Sequence, residues 1–234
     1  MTFSNPWRLM ILPILIMAVV SCSSTGSKAL NIDHLDLEIV RLESSNALIE
    51  AASTGSVPGL KKALTGGDKI NTITPNGTAF SLSLKNKHYL ISQFLLKAGA
   101  IPLFGFTDGE PSALMLAAEV AQNDLVKRLI VKGAKVDYID RDGYTAIAHA
   151  AINRHLTTMK ILIAAGCDVN AIPNGKSILM YVVEDNNTLL VQQLIAAGAD
   201  VNFRDESGNT ALRLARRKGY FDLDLMLVQA GGRL

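Results

Sequence analysis

The chain has 234 residues, 49% of them hydrophobic and 19% charged, with a formal net charge of +2. That balance suits one or two folded domains and excludes a wholly disordered chain. It also gives no basic excess of the kind that displaces counterions from phosphates, so no nucleic-acid partner is expected.

Residues 9–20, LMILPILIMAVV, are a continuous apolar run of 12 behind a short segment whose only charge is Arg8. A helix that crosses hydrocarbon needs about 20 apolar residues, so this run is too short to span and has the form of a secretory signal core. It ends in Val19-Val20-Ser21-Cys22, which resembles the bacterial lipobox. The resemblance implies that residues 1–21 are a signal peptide, that cleavage falls before Cys22, and that Cys22 carries a diacylglyceryl group with a further acyl chain such as palmitate on its amine. Two or three chains anchor stably where one binds marginally. Ser23, rather than Asp, follows the cysteine, which implies the outer membrane facing the periplasm if the organism has two membranes. Residues 22–32, including the small polar stretch SSTGSK, are expected to be a flexible tether. Cys167 is the only other cysteine, so a lipidated Cys22 leaves no intramolecular disulfide.

Leu35, Ile39 and Leu42 follow Asp33 at helical spacing, and Asp36 suits a first helical turn. Residues 33–45 are therefore expected to be an N-terminal capping helix. From there on the chain repeats. A Gly followed by a small or polar residue recurs at Gly67, Gly99, Gly133, Gly166, Gly198 and Gly231, with spacings of 32, 34, 33, 32 and 33. Asn76-Gly77, Asp108-Gly109, Asp142-Gly143, Asn174-Gly175 and Ser207-Gly208 keep the same period. Gly after a helix supplies a left-handed cap, and Asp-Gly or Asn-Gly makes a tight turn. Ser112, Thr145, Ser177 and Thr210 stand where a side-chain oxygen can cap the helix that follows. One such unit cannot bury its own apolar face, but stacked neighbours can.

The segments Asp142-Gly143-Tyr144-Thr145-Ala146-Ile147-Ala148-His149-Ala150-Ala151 and Gly198-Ala199-Asp200-Val201-Asn202 resemble the ankyrin repeat. The resemblance covers residues 46–234 in six units. It implies an all-α repeat protein, an ankyrin-repeat solenoid of helix-turn-helix units with short β-turn fingers, whose work is protein–protein interaction. One departure is consistent: Ile49, Ser81, Met115, Ala148, Met180 and Arg213 replace the family's histidine, so its bond to the capping threonine is lost in every repeat. Arg216 stands where inner repeats place Ala52, Leu84, Ala118, Ala151 and Val183 against the next unit, which marks the sixth repeat as the last of the stack.

No catalytic constellation emerges. His149 and His155 are six apart, which does not put both on one helical face, and no H-E-x-x-H or paired-cysteine spacing accompanies them. Cys167 occupies the alanine of the G-A-D motif, a packing position rather than a nucleophile's. Asp140 and Asp142 sit in a turn, with no apolar pocket to raise either acid. No enzyme activity, metal, cofactor or small-molecule substrate is expected. A small periplasmic enzyme is the alternative reading, and it lacks a site.

What remains is a surface. In ankyrin proteins partners touch the finger tips and the first-helix residues after the paired small positions. Carried onto this chain, the resemblance implies Ile139, Arg141, Tyr144, Lys176 and Arg204 on the fingers, and Asn153, Glu184, Asp185 and Arg217 on the helices. Phe104, Tyr138 and Phe203 form an aromatic row just past the family's Asn position. Each ring either anchors a partner or packs on the neighbouring finger. The expected protein is a monomer, extracytoplasmic, and either an immunity-type factor that neutralises a toxin or a stress-protection factor for an envelope enzyme.

Overall fold

The computed structural model describes residues 47–102 and 106–234, all within the unit Ile39–Leu234. The expected signal peptide, Cys22, tether and capping helix, together with Phe104, lie outside the described residues. Among the described residues twelve α-helices follow one another in six antiparallel pairs: α1 (Ala47–Thr54) with α2 (Val57–Thr65), α3 (Ala79–Lys85) with α4 (Tyr89–Lys97), and α5 (Ala113–Glu119) with α6 (Asn123–Val131). The later pairs are α7 (Ala146–Ile152) with α8 (Leu156–Ala164), α9 (Ile178–Glu184) with α10 (Thr188–Ala196), and α11 (Ala211–Lys218) with α12 (Phe221–Gln229). Among the described residues there is no β-strand, and a single antiparallel bridge joins Thr74 to Gly77.

The first helices start where the sequence places a hydroxyl. Thr78, Ser112, Thr145, Ser177 and Thr210 each accept a hydrogen bond from the amide three residues on, which satisfies a donor that the helix itself cannot. The missing family histidine is partly made good in the second repeat. There Ser81 Oγ accepts the Thr78 N–H at 2.9 Å, rebuilding a reciprocal capping box. After each second helix the expected glycine takes a left-handed backbone, with φ of 82° at Gly166 and 102° at Gly99.

First helices pack on first helices of adjacent repeats, and from α4 onward second helices on second. Between them Leu95, Leu125, Leu129, Met159, Leu162, Leu190 and Leu194 are fully enclosed, each contributing about 1.5–3 kcal/mol of burial. Ala118 and Ala151 are also enclosed, at 0% and 1% exposure, in the seam between successive first helices. Polar ties cross the same seams. The Asn and Asp of the G-A-D-V-N motif accept an amide from the next repeat: Asn71 from Ile101 (2.9 Å), Asp137 from Asp168 (2.8 Å), Asn170 from Asp200 (2.8 Å) and Asn202 from Arg233 (2.7 Å). At the other end of the helix pairs, His88 reaches the Ser53 carbonyl at 3.1 Å and His155 the Glu119 carbonyl at 2.8 Å. A carbonyl only accepts, so both rings carry their proton on Nε2. These two histidines are structural staples.

Candidate interaction surface

The finger of the fourth repeat is built on Asp140. Its Oδ1 accepts the amides of Asp142 (3.0 Å) and Tyr144 (2.8 Å), and its backbone amide donates to the Tyr144 carbonyl at 3.0 Å. This is the turn-forming role its sequence position suggests. The closed turn leaves Ile139 at the tip, 58% exposed, and in the next repeat Ile172 stands 47% exposed. Tyr144, half-buried at the base of the finger, accepts a hydrogen bond from Asn174 Nδ2 at 2.8 Å, which ties the fourth finger to the fifth.

Beside these fingers lies the inner face of α9. Lys176 donates to Glu184 at 2.9 Å and its ammonium stands 5.6 Å from the Tyr181 ring centroid. Tyr181 donates to the Pro173 carbonyl at 3.3 Å. Burial, then the neighbouring Tyr144 hydroxyl, raises the Tyr181 phenol above its ordinary value, so it stays protonated at neutral pH. Asp185, at the C-terminal end of α9, pairs with Arg154 at 3.1 Å across the repeat boundary. The structure thus gathers Ile139, Tyr144, Lys176, Glu184 and Asp185 of the expected contact residues onto two consecutive repeats.

Other expected residues are committed elsewhere. Tyr138 packs against the core, and its hydroxyl accepts the Gly109 amide at 2.9 Å, so of the two readings of that ring the geometry supplies the finger-packing one. Phe203 is half-buried against the core as well. Asn153 donates to the His149 carbonyl at 2.9 Å, closing its own helix. Arg141 is exposed and its amide donates to the Gly109 carbonyl at 3.0 Å. Arg204 is held by the carbonyls of Gly208 and Leu234. Arg217 is exposed and its side chain has no ion pair or hydrogen bond among the described residues.

Sequence reasoning passed over Tyr181, Ile172 and Arg154. A signal for Tyr181 was present: its helix position carries Leu82, Leu116 and Leu214 in other repeats, and a tyrosine there departs from the pattern. Cys167 behaves as a packing residue. Burial, reinforced by Asp137 and Asp168, pushes its thiol up to about 12, which removes the thiolate that nucleophilic chemistry needs. Among the described residues no three His, Cys, Asp or Glu side chains are grouped to hold a metal, and no helix is long and apolar enough to cross a membrane.

Stacked helix pairs joined by projecting turns, presenting mixed apolar and charged side chains, define a repeat protein that works as a protein–protein interaction module. The chain belongs to the ankyrin repeat family. The family model for ankyrin repeats in three copies matches residues 103–172, and the single-repeat model matches residues 174–206. A putative ankyrin repeat protein of Escherichia coli, YahD, is 30% identical over 192 residues, covering 77% of this chain and 94% of that protein. The nuclear factor NF-kappa-B p105 subunit of Gallus gallus is 31% identical over 161 residues, 66% of this chain, and the match spans 16% of that much longer protein. Among solved structures, an ankyrin repeat domain from Acinetobacter baumannii superimposes with a TM-score of 0.69 at 28% identity, over 80% of this chain and 98% of that one.

Proposed function

We propose that this chain holds a protein partner at the extracytoplasmic face of a bacterial membrane, anchored by lipid on Cys22, with the fourth and fifth fingers and the inner face of α9 as the contact area. The observation that carries the contact area is the pair Ile139 and Ile172. Two branched apolar side chains are exposed in successive fingers, and Arg141 and Asp142 are exposed on the first of them, so apolar and charged groups stand together there. The anchoring rests on the lipobox resemblance and on an apolar run too short to span. Neutralising a toxin and protecting an envelope enzyme are both services such an anchored module performs, and the partner's identity separates them.

A photo-crosslinking residue placed at Ile139 or Ile172 in the native host tests the contact area, with Leu90, 80% exposed on a second helix, as the control position. Adducts of one partner from Ile139 and Ile172 but not from Leu90 support the assignment; equal adducts from all three overturn it. Cys22→Ser tests the anchor separately. Loss of lipid attachment, leaving soluble protein or uncleaved precursor, is the expected result, and processed protein that stays on the membrane contradicts it.

A further inference from the structure

Each of the first five helix pairs is covered on one face by the pair that follows, and contacts across the seams show which second-helix positions take part. Asn123, first in α6, accepts a hydrogen bond from Thr158 of the following repeat at 2.7 Å, and Lys160 and Ile163 of α8 line a cleft with Gln193, Ala196 and Ala197 of the next repeat. The same places on α12 hold Phe221, Leu225 and Val228, whose spacing of four and then three residues makes one stripe. They are 83%, 60% and 45% exposed. Position 225 is the most informative. Earlier repeats fill it with Lys61, Gln93, Lys127, Lys160 and Gln192, and the sixth repeat puts a leucine there. A face left to solvent calls for the polar residue more than a covered one does, so this leucine departs from the pattern in the direction of a contact.

The α11 side of the same face is basic. Arg213 replaces Ser81, Met115, Ala148 and Met180, all fully enclosed, and it is exposed, its side chain without an ion pair or hydrogen bond among the described residues. Arg217, one turn further on, is exposed and unpaired as well, and Arg216 between them holds Asp224 at 2.8 Å. Elsewhere in the chain such cations meet an acid of the next repeat. Lys85, at the place of Arg217, pairs with Glu110 at 2.8 Å, and Arg154 pairs with Asp185 at 3.1 Å.

We infer that the outward face of the sixth repeat is a second docking surface, separate from the fingers, and that its occupant is an acidic amphipathic helix of a partner protein. A helix fits because these are the positions on which five earlier repeats seat a helix pair. Its apolar face covers Phe221, Leu225 and Val228, and carboxylates beside that face meet Arg213 and Arg217 as Glu110 meets Lys85. The Arg216–Asp224 pair keeps the middle of the surface polar and so disfavours a purely apolar helix. A second copy of this chain is disfavoured by charge. Two such faces set together would oppose Arg213, Arg216 and Arg217 of each copy, while Asp224, the carboxylate of this face, is already paired.

Fluorescence anisotropy with the full chain tests the surface, using a labelled, helix-stapled peptide that carries leucine on one face and glutamate along its flanks, beside the same peptide with lysine for each glutamate. The acidic peptide is expected to bind at least about tenfold tighter than the basic one. Leu225→Lys, which restores the residue of the first, third and fourth repeats, and Arg213→Glu should each weaken the acidic peptide at least about fivefold with the melting temperature unchanged. Ile139→Asp/Ile172→Asp should bind it as wild type, which separates this surface from the fingers. No binding of the acidic peptide, equal binding of the two peptides, or wild-type affinity in Leu225→Lys overturns the inference. Sedimentation that shows the chain pairing with itself, abolished by Leu225→Lys, also overturns it, because a second copy would then be the occupant.

Discussion

Arg216 and Asp224 form an ion pair, Nε to Oδ1 2.8 Å, at two positions that every earlier repeat fills with a buried side chain. Arg216 replaces Ala52, Leu84, Ala118, Ala151 and Val183, while Asp224 replaces Leu60, Ser92, Val126, Met159 and Val191, all of them at most 1% exposed. The pair makes the outward stacking surface of the sixth repeat polar where α11 and α12 meet. Being substantially solvated, it contributes at most about 1 kcal/mol, so its role is to remove a sticky apolar face rather than to hold the repeat together. Arg216→Ala is expected to change the unfolding free energy by less than about 1 kcal/mol. Ala151→Arg, in the equivalent inner position, should cost more than about 3 kcal/mol, since it forces an unpaired charge into a closed seam. Thermal or urea unfolding of both variants compares them.

The turns between paired helices hold a reserve of stability. Lys87, Ala121, Arg154 and Asn186 all have positive φ, between 54° and 64°, where the first and sixth repeats have Gly55 and Gly219. A side chain in that region is strained, while glycine is not. Ala121→Gly is expected to stabilise the chain by about 0.5 kcal/mol, the relief of strain being offset in part by the freer unfolded chain. Gly55→Ala should destabilise by more than about 1 kcal/mol, because its new Cβ would also lie 2.7 Å from the His88 ring. Denaturant midpoints at constant slope give both signs.

Tyr138 is expected to act through the fold. Tyr138→Phe removes the acceptor for the Gly109 amide and should cost about 1 kcal/mol, and Tyr138→Ala should cost about 3 kcal/mol by also emptying its packing site. Calorimetric melting of the two variants checks the order. An alanine variant that melts with the wild type would return the ring to the contact surface.

Cys167 should be nearly inert. With its thiol pushed up to about 12 from an ordinary value of 9.0, the thiolate is scarce at neutral pH. Labelling by a thiol reagent at about pH 8 should therefore run at least about 100-fold slower in the folded chain than in urea. Comparable rates would mean the site opens readily.

Much of this was legible in the sequence because the repeat's punctuation is local chemistry. Gly166 needs a left-handed backbone and Thr145 needs an amide three residues on, and both requirements are met within one turn of chain. The Asn170 tie was legible as a motif. What escaped depends on partners in another element: Asp224 has meaning only beside Arg216 on the preceding helix, and Tyr138 only once Gly109, 29 residues back, is placed under its hydroxyl. Tyr181 and His149 were masked for another reason. Each sits at a position where leucine is usual, so only the fold shows that one joins the fourth and fifth repeats and the other faces a carboxylate.

The most direct test of the account is the affinity of the crosslinked partner for Ile139→Asp/Ile172→Asp compared with Leu90→Asp. Truncating or charging the apolar centre of an interface typically costs more than about 2 kcal/mol, whereas a change outside it costs little. The double finger variant should lose at least about tenfold in Kd at an unchanged melting temperature, with Leu90→Asp binding as wild type. Wild-type affinity in the double finger variant would contradict the assignment of the fourth and fifth fingers as the surface by which this chain works.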